Sequence, residues 1–146
     1  MGTTTSFEKA KLVLCILTSD NTLIDPSLEE IEKEYGETDF RSDPHSFTYT
    51  DYYNKEMGTP ITRYFMTFRR LVDPSLLADI KILTNRIEDT HRIAHRRMIN
   101  LDPGFLFLSR FILATTKDNA HRIPLHDGIY ADLTLLFRKK TFEPFE

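Results

Sequence analysis

The chain has 146 residues, 40 % of them apolar and 28 % charged, and a net charge of −3. This length suits one domain with its own hydrophobic core, and the acidic balance excludes a nucleic-acid binder that works by broad phosphate neutralisation. One cysteine, Cys15, excludes an internal disulfide and fits a reducing cytoplasm, and no apolar run approaches the about 20 residues that span a bilayer, so a soluble chain without a membrane partner is expected.

Residues 1–9 read as a flexible tail, although Gly2 followed by Thr and Ser matches the short N-myristoylation pattern. Residues 11–17, Lys-Leu-Val-Leu-Cys-Ile-Leu, form a continuous apolar run and predict a central strand buried on both faces. Asp25 and Pro26 predict a helix start, with Leu28, Ile31 and Tyr35 at helical spacing and Gly36 as the stop. Between 38 and 50, Phe40, Phe47 and Tyr49 alternate loosely around Pro44, which predicts an irregular or edge strand. A polar-aromatic loop follows at 51–58, and 61–72 predicts a strand with Tyr64, Met66 and Phe68 on one face. Asp73 and Pro74 start a second helix, in which Leu76, Ile80, Leu83 and Ile87 mark the apolar face as far as about His91.

Residues 98–101 predict a short strand ended by a turn at Asp102-Pro103-Gly104. Two apolar runs, 105–114 and 129–137, read as strands around a polar knot at 115–122, with a second turn at 126–128 and a tail at 139–146. The whole is read as one α+β domain with a ferredoxin-like βαββαβ core, an antiparallel sheet with two helices on one face, extended by C-terminal strands. A mixed sheet of another topology is the alternative.

The five glycines frame neither a phosphate loop nor a dinucleotide fingerprint. Glu88, His91 and His95 fall at i, i+3 and i+7 and would converge if the helix ran through them, as a zinc or iron site requires. Arg92, Arg96 and Arg97 crowd the same turns, so a solvated helix end is the preferred reading and neither metal nor cofactor is expected. The two polar loops carry more chemistry. In the knot, Lys117 and Arg122 offer an anion site, His121 a group that exchanges protons near neutral pH, and Asp118 a partner for it. Asp51, Tyr53 and Glu56 come from the other loop, and Asn100 and Asp102 from the strand expected beside the knot. If both loops open on one end of the sheet they form a cleft, with His121, Asp51 and Glu56 as catalytic candidates and Tyr53, Asn100, Asp102, Lys117, Asp118 and Arg122 as ligand-binding ones. If they do not, the knot is a surface turn.

Thr50-Asp51-Tyr52-Tyr53, Glu56-Met57-Gly58, Asp79-Ile80-Lys81 with Thr84-Asn85, Asn100-Leu101-Asp102-Pro103-Gly104, Thr115-Thr116-Lys117-Asp118, His121-Arg122-Ile123 and Gly128-Ile129-Tyr130-Ala131 occur in that order. Together they resemble an uncharacterised prokaryotic family, a domain of unknown function some of whose members carry only the label "GTP-binding protein". The resemblance covers about residues 11–144 and implies a stand-alone prokaryotic domain with no established activity. The resemblance also implies that members usually continue past the position of Pro144 with an aromatic segment and another helix. The residues themselves support no GTP site. The expectation is a domain that binds or acts on a small phosphorylated or nucleotide-like ligand at the two loops. The alternative is a non-catalytic interaction module that forms a homodimer through its sheet.

Overall fold

The apolar run at the start of the chain becomes the middle of a sheet. The computed structural model describes residues 1–145. Its strands and helices are β1 (Lys11–Thr18), α1 (Ile24–Tyr35), β2 (Thr38–Arg41), β3 (His45–Ser46), α2 (Asn54–Met57), β4 (Thr62–Phe68), α3 (Leu77–Thr90), β5 (Ile99–Leu106), β6 (Arg110–Thr115), β7 (Arg122–Pro124), β8 (Tyr130–Arg138) and β9 (Thr141–Pro144). The fold is α+β: one nine-stranded antiparallel sheet with the order β2-β4-β1-β5-β6-β8-β7, with β3 also on β4 and β9 also on β8. Among the described residues, no helix is long and apolar enough to cross a membrane.

Successive side chains of a strand face opposite sides of the sheet. Leu12, Leu14 and Ile16 of β1 therefore share a face with Tyr64, Met66 and Phe68 of β4 and with Leu101 and Phe105 of β5. Helices α1 and α3 cover this face through Leu28, Ile31 and Tyr35 and through Leu77, Ile80, Leu83 and Ile87. Each large apolar side chain buried there contributes about 1.5–3 kcal/mol. On the opposite face Leu17 packs with Met57 and Ile61, so the loop that contains α2 is folded across the back of the sheet.

Several boundaries differ from expectation. Helix α1 starts before Asp25: Asp20 accepts a hydrogen bond from the Thr22 amide, and the 3-10 turn at Asn21–Leu23 leads straight into the helix. Pro26 is then the third helical residue, a position whose missing N–H has no partner within the helix. Asp73 does cap its segment, but Leu76 lies in a 3-10 turn and is exposed, and Leu77 takes its place in the core. The apolar run 105–114 is not one strand; it is the end of β5, a tight link at Phe107 to Ser109, and β6. The knot itself ends in β7, which pairs with β8, and part of the stretch expected to be a tail pairs with β8 as β9.

The largest difference is at Asp102-Pro103-Gly104, which is not a turn: β5 runs through it without a break. In an antiparallel ladder a residue directs both its backbone groups to the same neighbour, and alternate residues face alternate neighbours. The N–H and C=O of Leu101 both point away from β1, toward Glu88 and Lys81. Pro103, two residues on, turns its nitrogen to the same side, where β6 begins to pair only at Gly104. The proline thus removes no ladder bond, and it marks the point where β5 and β6 part. At Gly104 the two strands come so close that a Cβ would overlap the Ile112 carbonyl oxygen. Beyond it, Ala114 and Thr115 pair only with β8, and the sheet forks.

Candidate functional site

The fork opens a cleft of about 600 Å³, within the range of small-ligand sites. Helix α3 forms one wall through Lys81, Asn85 and Glu88, which share one side of the helix at i, i+4 and i+7. Thr115, Lys117, Arg122 and Asp132 form the facing wall, and Tyr52 and Tyr53 close the end that the α2 loop supplies. The cleft therefore reaches from the helical face of the sheet to the loop on its back.

Its floor is a chain of charged hydrogen bonds. Lys81, whose side chain is 7 % exposed, donates to Asp102 Oδ1 at 2.9 Å and to the Leu101 carbonyl at 3.3 Å. Asn100 donates to Asp102 Oδ2 at 2.7 Å and accepts from Arg97 Nη1 at 2.8 Å. Arg97 also grips both oxygens of Glu56, each at 3.1 Å, and approaches Glu88 Oε1 to 3.5 Å. Its guanidinium lies 5.8 Å from the centre of the Tyr53 ring. Arg97 is thus the rivet between the α2 loop and the floor. Glu88 is buried, and that burial pushes its carboxyl up to about 7 against the pull of Lys81 and Arg97.

The two loops expected to meet do so: Lys117 Nζ sits 4.6 Å from the centre of the Tyr52 ring. Among the described residues, no carboxylate lies within ion-pair distance of Lys117, which makes it the unneutralised cation of the cleft mouth. Arg122 lines the cleft but is committed, with Nε on Asp132 Oδ2 and Nη1 on the Lys117 carbonyl, both at 2.9 Å. Tyr53, Asn100 and Asp102 line the cleft as well.

The other expected residues lie outside its lining. His121 is half exposed and stands 3.7 Å from Asp132 Oδ1, beyond hydrogen-bond reach. Asp118 is exposed and makes no ion pair among the described residues, and Asp51 accepts from the Asn54 side chain, tying down the start of α2. The hydrogen bonds from Arg97 hold Glu56 below the usual carboxylate range, which makes it a structural anion here.

The helical convergence of Glu88, His91 and His95 fails because α3 ends at Thr90. His91 is its cap, and Ala94 and His95 take left-handed backbone angles in a tight turn. No group of three or more His, Cys, Asp or Glu close enough to hold a metal occurs among the described residues.

Sequence reasoning passed over Lys81, Asn85 and Asp132 as site residues, and took Glu88 and Arg97 only as part of a metal pattern. The available signal was the run Lys81, Thr84, Asn85, Glu88, a polar stripe beside the apolar face of α3. Three of the four, Lys81, Thr84 and Glu88, are buried. No curated protein and no solved structure matches the chain. The family model described as Domain of unknown function (DUF4416) matches residues 8–146, and the chain belongs to that family.

Proposed function

We propose that the forked-sheet cleft binds, and acts on, a small phosphorylated or nucleotide-like ligand. The observation that carries this reading is Lys117, an ammonium at the mouth of a polar cleft, oriented by the Tyr52 ring and with no carboxylate of its own. A cation placed over an aromatic face is desolvated on one side and keeps its remaining donors for an anion. Arg122 adds positive potential behind it, while Tyr53, Asn100 and Asp102 supply polar contacts deeper in. Of the groups expected at the site, His121 and Asp118 would take part only by moving inward when ligand arrives, and Asp51 and Glu56 act through the loop they hold. The label "GTP-binding" is not part of the proposal, since the chain has no phosphate loop.

The same reading takes the β1-α1-β2-β4-α3-β5 portion as a ferredoxin-like core. The order β2-β4-β1-β5 and a helix after each of β1 and β4 support it. A reducing, cytoplasmic, prokaryotic setting also belongs to this reading. It rests on the sequence resemblance and on Cys15, a lone thiol that burial pushes up to about 12.

The test is a thermal-shift panel of phosphorylated metabolites and nucleotides, with and without divalent metal. A ligand at 100 times its Kd adds about 2.7 kcal/mol and raises the melting temperature by several degrees. Lys117→Ala removes that shift. A panel in which nothing shifts the wild type overturns the proposal.

One observation favours a second reading, a self-associating interaction module. Phe7, Leu71, Leu106, Leu108, Phe137 and Phe142 are exposed and line a largely apolar groove away from the cleft. Contiguous exposed apolar surface of this kind commonly marks an interface. Light scattering separates the readings: a strict monomer at high concentration removes this one.

A further inference from the structure

Three groups facing the cleft have no hydrogen-bond or ion-pair partner among the described residues. They are the Lys117 ammonium, the Asn85 amide and one oxygen of Glu88. Every hydrogen bond that Glu88 accepts goes to Oε1, from the Leu101 amide at 3.4 Å and from Arg97 at 3.5 Å. Oε2 has none, yet it is not a sealed, unsatisfied atom; the side chain lines the cleft. One oxygen is therefore anchored to the open edge of β5, and the other is left to whatever fills the cleft. This is the geometry of a group that shares a proton with a bound molecule: held in place, reachable at one atom only.

The neighbouring carboxylates do not share it. Asp102 has one oxygen on Lys81 and the other on Asn100. Asp132 has one on Arg122 and the other facing His121. Asp89 is exposed and paired with Arg92, and Glu56 is gripped at both oxygens by Arg97.

We propose that Glu88 is the proton-exchanging residue of the cleft, and that its partner is a hydroxyl of a hydroxylated organic phosphate whose phosphate group sits at Lys117. The inference rests on the function proposed above and names both its substrate class and its proton carrier. Neutral Glu88 donates its Oε2–H to the ligand hydroxyl oxygen, and as the carboxylate it accepts that hydroxyl's hydrogen instead; the proton that Glu88 gains or loses is exchanged with solvent, and the ligand hydroxyl stays neutral throughout. Asn85, one turn away on α3, supplies an amide for a second hydroxyl.

Burial favours the neutral acid, and charges on every side tune it. Lys81 on α3 and Arg97 before β5 favour the carboxylate, while Asp102 on β5 opposes it; Asp89 near the end of α3 and Arg92 just past it pair with each other. Across the cleft, Lys117 is unneutralised, and Arg122 is balanced by Asp132. A phosphate that cancels Lys117 raises the proton affinity of Glu88 further, so binding near pH 7 draws a proton into the cleft.

The experiment is calorimetric titration of ribose 5-phosphate at pH 7 in two buffers of different ionisation enthalpy, on the wild type, Glu88→Gln and Lys117→Ala. The expected result is proton uptake on binding in the wild type that is lost in Glu88→Gln, with Kd changed less than tenfold. Lys117→Ala should weaken binding at least tenfold. Carboxyl-carbon NMR of the wild type reads the same group without a variant: the Glu88 signal should titrate between pH 6 and 8 and move when ribose 5-phosphate is added. Binding with equal proton uptake in Glu88→Gln, or a Glu88 signal flat from pH 6 to 8, overturns the assignment and leaves the cleft's ligand in place. No binding of ribose 5-phosphate to the wild type, when another phosphate compound shifts its melting temperature, overturns this substrate class alone. No response to any phosphate compound overturns the cleft reading and this assignment with it.

Discussion

The rim of the cleft and its floor are built from similar residue types, yet their environments give them different chemistry. The rim, at 115–122, carries two threonines, a lysine, an aspartate, an amide, a histidine and an arginine in eight consecutive positions. Most of these side chains are exposed, and the charged ones that reach inward are already paired, Lys117 excepted. The floor draws Lys81 and Glu88 from a helix, Asn100 and Asp102 from a strand, and Arg97 from the turn between them. There Lys81, Glu88 and Asn100 are buried and Arg97 and Asp102 half-buried, the groups are hydrogen-bonded to one another, and one of them is shifted to about 7. Water screens a rim charge and supplies its missing hydrogen bonds; in the floor, protein groups must do both. Reactivity in this chain follows burial more closely than it follows the local density of reactive side chains.

The contrast breaks most visibly if floor and rim substitutions cost the same. Lys81→Met leaves Asp102 and the Leu101 carbonyl without their donor, and removing one partner of a buried pair typically costs about 3–5 kcal/mol. Asp102 keeps Asn100 and is one-third exposed, so the loss expected is about 3 kcal/mol, read as a lowered midpoint in urea. A change below about 1 kcal/mol would mean that water in the cleft replaces the ion pair, and that the floor behaves like the rim.

Glu88 sharpens the comparison through pH. Its folded value of about 7 lies above the ordinary 4.5, so the folded state binds this proton more tightly than the unfolded chain. The stability that it contributes is complete below pH 4.5 and is lost as pH rises through 7, a range of about 3 kcal/mol at 1.36 kcal/mol per unit. Glu88→Gln lacks this dependence. The gap in melting temperature between variant and wild type should therefore move in the variant's favour between pH 5 and pH 8, by several degrees in a chain of this size. Parallel curves would show that Glu88 is charged across the whole range.

The central sheet was readable because its signals are local. Residues 11–17 are apolar without a break, Tyr64, Met66 and Phe68 alternate, and Gly36 stands where a positive φ closes α1. The rim was readable for the same reason, since its residues are neighbours in sequence. The floor was not. It depends on β5 running straight through Asp102-Pro103-Gly104, a triplet whose local preference is a turn. What overrides the preference is tertiary: eight residue pairs with β1 hold β5 extended, and the fork leaves Pro103 on a side with no ladder to break. Once β5 is straight, Asn100 and Asp102 fall on one side of the strand and beneath Lys81. Glu88 stands out only with His91 and His95, and that pattern needs five more helical residues than α3 has.

Lys117→Ala is the smallest expected effect on stability and the most direct probe of the rim. Among the described residues its ammonium has no hydrogen-bond or ion-pair partner and sits over the Tyr52 ring, an interaction worth about 0.5–1 kcal/mol at an exposed site, and the backbone of the turn is held by other groups. Thr115 Oγ1 accepts from the Lys117 amide at 3.2 Å, and Arg122 donates to the Lys117 carbonyl at 2.9 Å; neither contact uses the lysine side chain. The midpoint in urea should move by less than about 0.5 kcal/mol, since exposed substitutions of this kind seldom exceed that. Any phosphate-dependent stabilisation seen in the wild type should nonetheless disappear. A variant that lost about 2 kcal/mol of stability would make Lys117 a structural tie between the two loops and not a ligand group. The difference between rim and floor would then be one of degree, because both would be built from side chains that the fold itself requires.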